Sequence, residues 1–122
     1  MTHTWEFIFD RTFLRLTTES RDSAGGVHRD VGYLSRNTDN GTFVFRQFNS
    51  EGFVNTYDVL AGPDGSGLNF AYRECESAGG MKARMILAMF GKEKYEMTLE
   101  LARGNMEFSP CQSMTMRRKT DG

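Results

Sequence analysis

Apolar side chains recur at every second position along much of this chain, and that period limits what it can fold into. Met81, Ala83, Met85, Leu87 and Met89 alternate, opposite Lys82 and Arg84. After Gly91-Lys92, Tyr95, Met97, Leu99 and Leu101 alternate with Glu96, Thr98 and Glu100. A strand points successive side chains to opposite faces, so each run has one buried wall and one wet one. Met, Ala, Leu, Glu and Lys are also good helix formers. Helical spacing from Met81, however, gathers Arg84, Met85 and Ala88, a poorer apolar stripe. The spacing predicts two strands, joined by a turn at Gly91-Lys92.

The same period holds upstream. Trp5, Phe7 and Phe9 alternate with Thr4, Glu6 and Ile8 before a tight Asp10-Arg11 turn. Phe13 to Glu19 returns, with Leu14 and Leu16 on one face. Residues 20–26 form a loop. From His28 to Arg36, Val31 and Tyr33 face one way and His28, Asp30, Gly32 and Leu34 the other. Turn-forming residues at 37–41, 49–52 and 62–65 separate strands over 42–48 and 53–60 and one through Leu68, Phe70 and Tyr72. A last strand runs from about Cys111 to Arg118, with Met114 and Met116 on one side. Roughly nine strands, with turn signals about every 8–12 residues, predict an all-β protein. The expected form is an antiparallel up-and-down barrel or half-open barrel of about 8–10 strands, with a sandwich as the alternative.

A length of 122 residues suits one domain, taken here as residues 1–122. Ten Phe, four Tyr and one Trp supply bulk for its core. Fifteen basic and sixteen acidic residues balance, and the one basic run is Arg117-Arg118-Lys119. Nucleic-acid binding is therefore not expected. The opening residues do not read as a secretory leader, and no apolar stretch is long enough to span a membrane. Two distant cysteines, Cys75 and Cys111, read as reduced thiols, and the chain as cytoplasmic.

No phosphate loop, Cys-x-x-Cys pair or Gly-x-Ser-x-Gly turn is present, and no metal site is expected. His28 and Asp30 share a strand face. A base with its orienter is one reading; a hydrogen-bonded polar cluster at the barrel wall or mouth is the more economical one. The methionines fill a core or line a space adaptably. The expected ligand wall is His28, Asp30, Phe45, Asn55, Tyr57, Met85, Met97, Cys111 and Met114, around a small apolar or amphipathic molecule.

Three segments carry a family likeness. Val27-His28-Arg29-Asp30-Val31-Gly32-Tyr33 is similar to the Met-His-x-Glu-x-Gly-Tyr stretch of the nitrobindins, small heme-binding barrels. Gln47 to Gly52 resembles a turn of that family, and Phe108 to Met116 resembles its closing Pro-His-Leu strand. The resemblance extends to the fatty-acid-binding, calycin and lipocalin-like barrels and implies a ligand-holding interior. It implies heme only if Cys111 replaces the family's iron-binding His, or His28 serves. The opening Gly-x-Trp-x-Gly strand is missing, which implies two open sheet edges and a homodimer through them. An enzyme using His28 with Asp30, and an interaction protein working through the open edge, are the other readings.

Overall fold

Each alternating run forms a strand. The computed structural model describes residues 2–62 and 67–117, and those residues contain no helix. Strands β1 (Thr2–Ile8), β2 (Phe13–Arg21), β3 (Val27–Arg36), β4 (Phe43–Asn49) and β5 (Val54–Ala61) make the first half. Strands β6 (Gly67–Glu76), β7 (Met81–Met89), β8 (Lys94–Arg103) and β9 (Ser109–Arg117) make the second. They pair in chain order, all antiparallel, as one nine-stranded meander. The expected sandwich alternative is thereby excluded, as is the helical reading of residues 81–101.

The sheet curls into a half-barrel. Tyr95 on β8 meets His3 and Trp5 on β1: its hydroxyl lies 2.6 Å from His3 Nδ1 and accepts the Trp5 indole N–H at 3.2 Å. Among the described residues no backbone ladder joins β1 to β9, and these side-chain contacts between β1 and β8 link the two ends of the curl. Pro110 lies in β9 and withholds one donor from that edge.

The core sits on the concave face. Phe45, Tyr57 and Phe70 pack as three rings with centroids 5.4–6.2 Å apart. Leu16, Ala83, Met85, Leu87 and Met97 extend the cluster. A side chain at Gly32 would overlap the Phe45 ring, so the missing Cβ is what lets that ring lie across β3. Gly91 takes φ +82° in the β7–β8 turn, where the sequence calls for a glycine.

The β1–β2 end departs from expectation. Phe9 does not belong to the wall; β1 stops at Ile8, and Phe9, Asp10 and Arg11 all take positive φ in the turn. Phe7 is 58% exposed and Phe9 74%. β1 is an edge strand that pairs only with β2, so Phe7 has sheet neighbours on one side alone. Arg11 instead covers the Phe7 ring at 5.8 Å. Pro63-Asp64-Gly65 of the expected 62–65 turn, and Arg118 and Lys119 of the basic run, lie outside the described residues. No helix among the described residues is long and apolar enough to cross a membrane.

Candidate functional site

Register decides which side chains meet inside the curl, because cross-strand partners share a face. His3 pairs with Thr18, Thr18 with Asp30, and Asp30 with Asn49. A polar row thus crosses four strands. In the adjoining row Gly32 pairs with Gln47, Gln47 with Asn55, and Asn55 with Cys75. Beyond these the partners are apolar: Phe45 with Tyr57, Met85 with Leu99, Met97 with Met114.

These rows enclose a cavity of about 440 Å³. It lies toward the end of the barrel that carries the β2–β3, β4–β5 and β6–β7 loops, since Ser20, His28, Asn49, Phe53 and Ala78 line it. Its apolar flank is Leu16, Met81, Met85, Met97, Leu99 and Leu101. Its polar pole includes Thr18, Asp30, Gln47, Asn49 and Asn55.

His28 is held at both ring nitrogens. Nε2 lies 3.0 Å from Asp30 Oδ2, and Nδ1 lies 2.6 Å from a Glu51 carboxylate oxygen. Only the doubly protonated imidazolium donates to both carboxylates. Burial opposes that charge, but the bonds to Glu51 and Asp30 outweigh it, and the His28 pKa is raised. The His28 bond in turn lowers Glu51. The cluster ties β3 to the β4–β5 turn. Taking a proton from a bound molecule would require His28 to give up one of these bonds.

Asp30 is 4% exposed, and its Oδ1 accepts no hydrogen bond. Gln47 Oε1, by contrast, receives both the Asn55 amide and the Tyr57 hydroxyl at 3.3 Å. Burial drives the Tyr57 pKa far upward, so the phenol keeps its proton. Burial also raises the Cys75 thiol, which leaves it a poor nucleophile.

Of the residues expected to line the interior, His28, Asp30, Asn55, Met85, Met97 and Met114 do so. Phe45 and Tyr57, each 1% exposed, are packed into the core rather than the cavity lining. Cys111 is a correction. It is exposed and outside the wall, because unbroken alternation from Met116 through Met114 to Gln112 turns Cys111 to the other face. Gln112 lines the cavity instead. His3, Thr18, Gln47 and Asn49 were not singled out in the sequence, although the alternation through Leu16 and Phe45 carries Thr18 and Gln47 inward.

No protein-family model, curated protein or solved structure matches this chain. A heme iron would find no free protein donor at the two residues the sequence offers: Cys111 faces away, and both His28 nitrogens are engaged. Among the described residues no group of three or more His, Cys, Asp and Glu side chains is arranged to hold a metal ion.

The two histidines give opposite pH dependences. Burial lowers His3, and the Asp30 charge offsets this only in part. Neutral His3 Nδ1 then accepts the Tyr95 hydroxyl proton, which puts its own proton on Nε2. Its stabilising share is present above the unfolded value of about 6.5 and is lost as pH falls through the lowered folded value. The share of His28 is full below about 6.5 and is lost as pH rises through the raised folded value. Urea titrations at pH 5, 6.5 and 8 should therefore show His28→Asn gaining stability with pH relative to wild type, and His3→Asn losing it. Each effect should be about 1 kcal/mol or less, since His28 and Glu51 are partly solvated. Parallel pH curves for the two variants would contradict this assignment.

Proposed function

We propose that this protein is a lipocalin-like binding protein for a small amphipathic molecule. The observation that carries the reading is the cavity itself: about 440 Å³, with a Met- and Leu-rich flank and one polar pole. That volume falls in the range of roughly 300–1,000 Å³ typical of ligand sites, whose walls are mostly apolar with a few placed polar groups. The methionines suit an adaptable lining, because unbranched thioethers repack around different shapes. The calycin-like curl supports the same reading, since a half-barrel of this size has room for one small ligand.

Calorimetry with octan-1-ol, a probe with an eight-carbon tail and a neutral head, tests it. One molecule should bind per chain. The double variant Met81→Trp/Leu101→Trp, at two half-buried wall positions, should weaken binding at least tenfold by crowding the flank. Binding that is unsaturable, or indifferent to that crowding, would refute a cavity ligand.

A further inference from the structure

The polar pole has a chemical preference, and it is not for an anion. Asp30, Glu51 and a protonated His28 sum to one net negative charge. Asp30 is the most deeply buried of the three, at 4% exposed. A carboxylate offers about four acceptor positions. His28 Nε2 fills one on Oδ2, and Oδ1 fills none. A buried acceptor left this way costs free energy that a donor from a ligand would recover.

One lysine, Lys82, is among the residues lining the cavity, but its ammonium is engaged away from Asp30. Lys82 is on β7 with the opposite parity to Met81, Ala83 and Met85, and its ammonium stands 5.4 Å from the Tyr72 ring. Burial keeps His3 neutral near pH 7. The same pole carries further acceptors without charge. Thr18, the cross-strand partner of Asp30, is 5% exposed and carries a hydroxyl oxygen. Asn55 spends its amide N–H on Gln47 and keeps its carbonyl oxygen. Gln47 Oε1 already takes two donors and has little left to give.

We propose that the cavity selects a molecule with a protonated amine head, bound to the Asp30 carboxylate with Thr18 as the neighbouring acceptor and Asn55 farther along the same pole, and with its apolar body along Met85, Met97 and Leu99. An ammonium carries three donors and no acceptor, the complement of such a pole. Charge-assisted N–H···O bonds are about twice as strong as neutral ones, so the gain over an alcohol is specific to the charged head. A carboxylate head would meet like charge at Asp30 in a desolvated site. This inference rests on the cavity-binding reading above and specifies the ligand's chemistry.

Three probes with one tail separate the two statements. Octylammonium, octan-1-ol and octanoate are titrated calorimetrically at pH 7 against wild type, Asp30→Asn and the Met81→Trp/Leu101→Trp variant. Wild type should bind octylammonium at least tenfold tighter than the alcohol, with octanoate weakest. Asp30→Asn, which keeps the side-chain shape, should bring ammonium and alcohol to within threefold of each other. If alcohol and octanoate bind and the crowding variant blocks them, but ammonium has no advantage, the head-group inference falls and the cavity reading stands. If none of the three binds one to one, both fall. If the ammonium preference survives Asp30→Asn, Asp30 is not the anchor and the inference is overturned. Should Asp30→Asn fail to fold, the wild-type ranking alone decides, because octanoate binding as tightly as octylammonium refutes a cation-selective pole.

Discussion

Phe45→Ala is expected to cost about 3–5 kcal/mol of unfolding free energy, the largest effect of any single substitution considered for this fold. Phe45 is 1% exposed and touches both other rings of the aromatic group, Tyr57 at 6.2 Å and Phe70 at 5.4 Å between centroids. Truncation loses the transfer free energy of a ring and leaves a void that β-strands on three sides cannot close, because each is held by ladders to its neighbours. Single domains of this kind are stable by about 5–15 kcal/mol, so the variant should lie near the edge of folding. Urea denaturation read by tryptophan fluorescence gives the comparison through Trp5. A loss below about 1.5 kcal/mol would mean that Phe45 is not the centre of the core.

Gly32→Ala attacks the same ring from the other side and should cost about 2–3 kcal/mol. A Cβ on Gly32 would occupy space held by the far end of the Phe45 ring. The backbone of β3 is fixed there by pairing to Leu16 on β2 and Gln47 on β4, so the ring must yield. It has little room, with Tyr57 and Phe70 against it. The two positions should therefore couple. Gly32→Ala/Phe45→Leu should be less destabilised than the sum of its single variants, by about 1 kcal/mol or more, because the smaller side chain relieves the clash. Strict additivity in that cycle would show that the alanine is accommodated by backbone movement instead.

Strand number and order were legible because alternation and turn chemistry agreed over most of the chain. The clearest case is residues 81–101, where Met85 and Met97 are 6% and 4% exposed and Lys82 and Arg84 stand on the other face. Arg84 pairs with Glu100 at 2.6 Å, one of the two outward partners the spacing allows. The same rule put His28 and Asp30 on one inner face, and their rings and carboxylates meet there. Two expectations went astray for separable reasons. Phe7 keeps the period but lies on an edge strand with a ladder on one side only, and Phe9 falls in the turn. Cys111 was drawn inward by its likeness to a family His, although parity with Met114 and Met116 places Gln112 inside.

The third member of the polar cluster could not be read from spacing. Glu51 sits in a turn, 23 residues after His28, and alternation says nothing about turn residues. The His3 and Trp5 contacts to Tyr95 span 92 and 90 positions. They exist only because the sheet curls, and a period of two is the same in a flat sheet and a closed one.

The amino-acid pattern alone determined that these residues make nine antiparallel strands with one apolar face, because the side-chain period and the turn residues are local properties of the chain. Tertiary structure decided how far the sheet bends, which polar groups were carried into its concave side, and that Asp30 was left there with a bond unmade. Those outcomes depend on cross-strand register, strand irregularity and curvature, which are set by contacts between residues far apart in the chain.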